Sequence, residues 1–240
     1  ILELSEKKNA FGAHLGGSFS IVEVLISLSK VFRLFNEDIL VLSKGHASLS
    51  LYSLVRKVFD IDVETAFRPG NLNIGHPVRN PSIGVVTSTG SLGIGMASAV
   101  GLAIDKKLKS SQKVIVIVGD GECNEGIIWE SARIAKFMKL NNLYCIVDVN
   151  NFQQTGSGSE ISGETNLAHM RHGLRWSVEY AQGHNIKDIC SALERLKERA
   201  ELEYSPSVLL AETIKGKGIP FLEGSNVGHH LCLTKEKFFE

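Results

Sequence analysis

Residues Lys113 to Phe152 read KVIVIVGDGECNEGIIWESARIAKFMKLNNLYCIVDVNNF, and this stretch decides the fold. Val114 to Val118 are β-branched with no polar break, the composition of a strand buried on both faces of a parallel sheet. The run stops at Gly119-Asp120-Gly121. Ile127 to Leu140 then reads as a helix, with Ile127, Ile128, Ile134, Phe137 and Met138 falling mostly on one side. A second apolar run, Leu143 to Val149, ends at Asn150-Asn151. Strand, helix and strand make a βαβ unit, whose right-handed crossover sets the two strands parallel. Asp120 and Asn150 therefore arrive at one sheet edge, the edge where open α/β sheets bind ligands. Both offer hard oxygen atoms, which suit Mg²⁺ or Ca²⁺ better than metals that seek thiolates.

Two bland or rival readings compete. A GDG turn with an N-capping Asp and an Asn-rich second loop needs no ligand at all. A dinucleotide fingerprint needs a third glycine, and Asn124 stands there after Gly119-x-Gly121. Gly93-x-Gly95 fails likewise, with Ser98 at the third place and no convincing strand before it.

The 240 residues carry 26 basic and 26 acidic side chains, so no charge excess points to nucleic acid or a membrane surface. Four cysteines, Cys123, Cys145, Cys190 and Cys232, lack metal-type spacing and read as the reduced thiols of a cytoplasmic protein. No apolar run reaches membrane-spanning length and no leader is recognisable. Ile1 in place of an initiating methionine predicts a short preceding piece.

Around the central unit, Ser20 to Phe35 reads as a helix with Ser20 as N-cap and Glu23 completing a capping box. Asp38 to Leu42 reads as a strand and Ser48 to Phe59 as a helix. Asp60 to Val86 is irregular, with Gly75-His76-Pro77 in its middle. Thr89 to Gly95 precedes a small-residue helix, Met96 to Lys107, whose Gly-rich start offers N–H groups to an anion. Gln153 to Arg171 reads as a loop. A strand near Trp176 to Tyr180, a helix from Ile186 to Glu201 and a strand from Ser207 to Thr213 follow, leading into Ile214-Lys215-Gly216-Lys217-Gly218. The expected fold is α/β, an open, mostly parallel sheet with helices on both faces, in a single domain over residues 1–240.

Of eight histidines, His14, His46, His76 and His229 lie beside small residues at strand ends or in Gly-flanked loops. Imidazoles there can relay protons near neutral pH and donate hydrogen bonds to hydroxyls or diphosphate oxygens.

The pieces HLGGSFS, SKGHAS, GHP, TGSLGIGMASAVG, GDGECNEG, DVNN, QGH and TIKGKG run almost from end to end. With them the chain resembles the N-terminal, diphosphate-binding half of transketolase, and most closely the separate N-terminal subunit of split transketolases. The resemblance implies that Asp120, Asn150 and the main-chain oxygen of Phe152 hold the Mg²⁺ (or Ca²⁺) that grips thiamine diphosphate. It implies that His14, His46, His76 and His229 contact the cofactor diphosphate or substrate hydroxyls, and that Lys215 and the Gly119-Asp120-Gly121-Glu122 turn lie at the diphosphate. Ser91-Leu92-Gly93 resembles the segment that meets the cofactor's pyrimidine ring. Glu125 and Glu130 resemble glutamates of a network that couples paired active sites; by chemistry alone they are helix-start charges favourable to its dipole. Two departures stand out: Ala13-His14-Leu15 replaces the usual Gly-His-Pro, and Gly228 replaces a tryptophan before His229-His230.

The resemblance further implies a transferase that moves a two-carbon ketol unit from a ketose, often phosphorylated, to an aldose. The glutamate and aromatic pocket that serve the cofactor ring belong to a pyrimidine domain, expected on a separate subunit within a heterotetramer. Two alternatives carry the same GDG…NN pair or fold: another thiamine enzyme (a 2-oxo acid dehydrogenase α subunit or a deoxyxylulose-phosphate synthase), and a non-catalytic binding subunit. SKGHAS and the histidine set favour transketolase over the first. Retained metal ligands and histidines count against the second. Donor and acceptor stay open, an unusual sugar such as a sulfonated one included.

Overall fold

Five apolar runs form one all-parallel sheet in the computed structural model, which describes residues 1–6, 14–67, 72–163, 167 and 173–225. The strands are β1 (Ile39–Leu42), β2 (Val114–Gly119), β3 (Leu143–Val149), β4 (Ser177–Gln182) and β5 (Ser207–Glu212), in the order β1-β2-β3-β5-β4. Every neighbouring pair is parallel, so all carboxyl ends share one edge. All six residues of β2 are buried, and each Val or Ile so placed contributes about 1.5–3 kcal/mol over its exposed state.

The helices are α1 (Leu2–Glu6), α2 (Leu15–Phe19), α3 (Val22–Val31), α4 (Ser48–Phe59), α5 (Ile94–Lys109), α6 (Gly126–Phe137), α7 (Gly158–Ser162) and α8 (Ile186–Glu203). Alternate strand residues divide them into two layers. Ile115, Ile117, Tyr144, Ile146 and Leu209 pack against α1 to α4 and α8. Val114, Val116, Val118, Cys145 and Val147 pack against α5 and α6. The expected open α/β sheet, covered on both faces, is what forms.

Local readings fail where a tertiary partner outweighs them. The helix expected from Ser20 to Phe35 is α3, shorter at both ends and preceded by α2, and the N-cap of α3 is Ile21 with no side-chain cap. Ser20 instead donates its hydroxyl to the buried Asp148 carboxylate at 2.7 Å, and Glu23 meets His184 Nδ1 at 3.0 Å, so no capping box forms. An ionised acceptor binds a hydroxyl more strongly than a helix N–H can. Helix α6 ends at Phe137 rather than Leu140, with Lys139 in the left-handed region at φ 50°. Its buried face is Ile128, Ser131, Ala132 and Ala135; small side chains bring the helix close to the sheet. The expected core residues Ile134, Phe137 and Met138 are exposed instead, Phe137 by 83 %. Within the expected loop after Gln153, Ser157 and Glu160 build a capping box that starts α7. Among the described residues no helix is long and apolar enough to cross a membrane.

Helix α5 starts two residues before the expected Met96 and presses on the end of β1. A Cβ on Gly95 would sit 2.5 Å from Ser43 Cα, whereas one on Gly101 meets nothing within 4 Å. Urea unfolding should therefore show Gly95→Ala destabilising by about 1–3 kcal/mol through overpacking. Gly101→Ala, in the same helix, should stabilise by about 0.5–1 kcal/mol. Equal effects of the two would refute this packing.

Candidate active site

Strands β2 and β3 end side by side, with Gly119 opposite Asp148 and the Asp120 N–H donating to the Asp148 carbonyl at 3.1 Å. The Asp120 carboxylate is then fixed from both sides of the edge. It accepts the Gly121 N–H at 2.8 Å and the Asn151 N–H at 2.5 Å. Asn151 adopts φ 62°, a left-handed conformation that Asn tolerates better than most residues. Asp120 caps a short 3₁₀ turn, Gly121–Asn124, and not α6, whose N-cap is Glu125. The amide of Asn150 is held at both ends: Nδ2 donates to Asp148 at 2.9 Å, and Oδ1 accepts the Phe152 N–H at 3.0 Å.

A cavity of about 380 Å³ opens at this edge. His14, His46, His76, Gly119, Asp120, Gly121, Glu122, Asn150, Phe152 and Lys215 all line it. The His14 ring lies 5.7 Å from that of His46 and 5.8 Å from that of His76, both edge to face. Each ring is seated by backbone or helix. A Cβ on Gly17 would come within 2.7 Å of His46 Cδ2, so the glycine in HLGGS makes room for that imidazole. The His76 loop is tied to α4, where Ser48 donates to the Ile74 carbonyl and the Tyr52 hydroxyl accepts the Val78 N–H at 3.0 Å.

Other expected residues take different places. Leu92 lines the cavity, whereas Ser91 and Gly93 lie outside its wall. The Gly93 N–H, expected to face an exogenous anion, donates at 2.7 Å to Glu122, the protein's own carboxylate. Glu122 also accepts Ser43 Oγ at 2.5 Å and the Gly119 N–H at 3.1 Å. Glu125, the N-cap of α6, and Glu130, just past its first turn, are exposed and lie outside the cavity wall. His229 lies outside the described residues, as do His230 and Cys232.

Sequence reasoning missed Lys44, Asp148, Gln153 and Gln154. Lys44, 1 % exposed, pairs with Asp148, 0 % exposed, and Asp148 also accepts the Thr213 hydroxyl. Lys44 and Asp148 sit inside SKGHAS and DVNN, motifs valued for their neighbours, but nothing within either motif pairs the two. Burial alone would raise Asp148, but the Lys44 charge and the hydrogen bonds from Lys44, Thr213 and Ser20 outweigh it and hold the carboxyl below its usual range.

The other charges are poorly compensated. Burial, and then the nearby Asp148 charge, push Asp120 up to about 6. Burial, and then the Lys44 charge, pull Lys215 down to about 8. Lys215 Nζ donates to the Gln153 carbonyl at 3.2 Å and lies 5.6 Å from the Phe152 ring centre. A divalent cation at Asp120 together with a polyanion at Lys215 relieves both groups, and a metal-bound diphosphate is one ligand that supplies both charges. The donors fit as well. Among the described residues no group of three His, Cys, Asp or Glu could hold a metal, and an ion at this edge would have one carboxylate, one amide oxygen and a carbonyl within the wall. That sparse, hard set suits Mg²⁺, which keeps water and phosphate oxygens in its shell.

Fold and cavity together define a thiamine diphosphate-binding α/β domain. The family profile described as transketolase, thiamine diphosphate binding domain, matches residues 9–238, and the chain belongs to that family. It is 38 % identical to the 6-deoxy-6-sulfo-D-fructose transketolase subunit of Clostridium sp., over 93 % of this chain and 84 % of that one. It is 36 % identical to an apulose-4-phosphate transketolase subunit of Actinobacillus succinogenes, over 91 % of this chain and 82 % of that one. Among solved structures, transketolase from Campylobacter jejuni superposes with a TM-score of 0.82 at 30 % identity, covering 98 % of this chain but only 39 % of that one. The chain spans about two fifths of the full-length transketolase it superposes on, and most of the length of the two transketolase subunits it resembles.

Lys44→Met leaves Asp148 buried without its cation, and urea unfolding should show a loss of about 3–5 kcal/mol. A loss under about 1 kcal/mol would mean that water or another donor replaces the ammonium.

Proposed function

We propose that this subunit binds thiamine diphosphate through Mg²⁺ (or Ca²⁺) and works only when a pyrimidine-domain subunit covers the cofactor ring. The supporting observation is the convergence of His14, His46, His76, Asp120, Asn150 and Lys215 on one cavity. Asp120, Asn150 and the Phe152 carbonyl would hold the ion, and Lys215 would face the diphosphate. Bound there, the cofactor supplies the electron sink that makes a two-carbon ketol unit transferable. The chain's own part is to orient and to move protons. The three clustered imidazoles hydrogen-bond sugar hydroxyls and shuttle protons to and from them near neutral pH, with His229 as a fourth candidate. The donor is a ketose and the acceptor an aldose. The sulfonated and phosphorylated sugars in the names of the two relatives mark the classes to assay first.

The partner reading rests on surface chemistry as well as on relatives. Leu92 and Ile94 are exposed where α5 begins beside the cavity, and Ile134, Phe137 and Met138 are exposed on α6, which packs along α5. Leu92 and Ile94 offer a covering subunit apolar area at the rim of the cavity, and the α6 residues extend apolar area away from it. Residues 1–240 would form the diphosphate-binding domain alone, with the pyrimidine-binding and C-terminal domains on the second subunit of a cytoplasmic heterotetramer. Glu125 and Glu130, outside the cavity, fit contacts between paired sites better than chemistry within one.

The test is reconstitution. With a pyrimidine-domain subunit, thiamine diphosphate and Mg²⁺, ketol transfer from a ketose to an aldehyde acceptor should appear, and the chain alone should give none. In calorimetry on the complex, Asp120→Ala should weaken thiamine diphosphate binding at least 100-fold. Unchanged affinity would remove the metal from the site, and absence of transfer to any aldehyde would remove the reaction.

A further inference from the structure

An amide side chain can serve a metal ion only if its oxygen, and not its NH₂, faces the ion. Nothing in Asn150 itself decides this, since the two ends have nearly the same shape and swap by a half-turn of the terminal torsion. The structure decides it from beneath. Asp148, two residues earlier on β3, points to the same side of the sheet and accepts Asn150 Nδ2 at 2.9 Å. Its oxygens also take the Lys44 ammonium, the Ser20 hydroxyl at 2.7 Å and the Thr213 hydroxyl. Oδ2 takes Lys44, Ser20 and Asn150 and Oδ1 takes Thr213, so an ionised Asp148 can meet Asn150 only as an acceptor. A flipped Asn150 would set its oxygen against Asp148, where there is no proton to share, and its NH₂ against the Phe152 N–H that Oδ1 now accepts at 3.0 Å. Both contacts would turn repulsive. Oδ1 has a second lone pair, and Asn150 lines the cavity beside Asp120.

Lys44 has a second effect. Asp148 and Asp120 are close enough to repel. Lys44 offsets the charge of Asp148, and of the two aspartates it is Asp120 that lines the cavity.

We propose that Asp148, fixed by Lys44, Ser20 and Thr213, is a positioning residue that locks the amide oxygen of Asn150 toward the metal site. This rests on the cofactor reading above. None of the four makes a metal bond; they act through Asn150, as outer-shell partners act through ligating side chains elsewhere.

The test is Mn²⁺ titrated into the complex with the pyrimidine-domain subunit, with thiamine diphosphate present, and followed by electron paramagnetic resonance, a readout independent of turnover. Asp148→Asn can donate as well as accept, so it no longer dictates the amide, and Mn²⁺ affinity should fall roughly 10–100-fold. Lys44→Met with Asp148→Asn removes the buried charges together and should fall by a similar factor. Adding Asn150→Asp to either background should restore affinity to within about threefold, because a carboxylate has no wrong end. A merely structural role for Asp148 would not be rescued at position 150. Thr213→Val, which loosens Asp148 and keeps both charges, covers the case in which the charge variants do not fold; it should weaken Mn²⁺ binding by about 2–10-fold. Wild-type affinity in the Asp148 variants, failure of the Asn150→Asp rescue, or wild-type affinity in Thr213→Val would overturn the proposal. Absence of Mn²⁺ binding by the unaltered protein would overturn the cofactor reading itself, and this one with it.

Discussion

The arrangement of the carboxyl edge depends on one buried ion pair, Lys44 with Asp148. Such a pair adds little net stability over a well-packed apolar pair, because desolvating both ions costs about what their attraction returns. Its value is in what it constrains. Lys44 follows β1, Asp148 lies in β3, Ser20 precedes α3 and Thr213 follows β5, so one carboxylate draws together four segments distant in sequence. If any one of them drifted, a charge or a hydroxyl would be left buried without a partner, which is far costlier than never having placed it there. The cavity floor is therefore rigid for an electrostatic reason.

Glu122 does the same on the other flank, with one oxygen on Ser43 and Gly93 and the other on Gly119. The edge of a parallel sheet exposes backbone N–H groups, and Gly-rich segments bring no side chains to satisfy them. A buried carboxylate supplies the acceptor. Burial raises the Glu122 carboxyl even so, against the pull of those three donors. The glycines allow close approach and the two acids convert that approach into fixed positions.

This division explains what could be read from residues alone. Strand β3 matches its expected bounds and β2 runs one residue beyond them, because a strand buried on both faces has a single compositional signature. That Asp120 and Asn150 reach one sheet edge followed from topology, since parallel strands end on the same edge. Lys44 with Asp148 was not legible: nothing local indicates that residues 104 apart share a proton. Ser20 misled for the same reason, its capping propensity overridden by an acceptor contributed from β3. Ile134, Phe137 and Met138 misled differently. The five apolar residues were placed mostly on one side, yet α6 turns Ile128, Ala132 and Ala135 to the sheet and leaves those three outside. The family resemblance located the histidines that local chemistry could only nominate.

The cavity's own charges bear on why such a site would be divided between two chains. The walls this chain supplies are polar: three imidazoles, Lys215 and Asp120 around about 380 Å³. A diphosphate and its ion are served well by such walls. A thiazolium that must become a carbanion is not, because water and loose charge stabilise its resting state and quench its reactive one. The wall that excludes water has to be apolar and has to arrive after the polar tail is seated, or it would block entry. Leu92 at the cavity and Ile94 beside it, with the apolar flank of α6 beyond, are placed to receive such a wall without supplying it. On the proposed function, the exposed apolar side chains are therefore the counterpart of the buried acids: one set fixes the anion-binding floor, and the other awaits the cover that makes the chemistry dry.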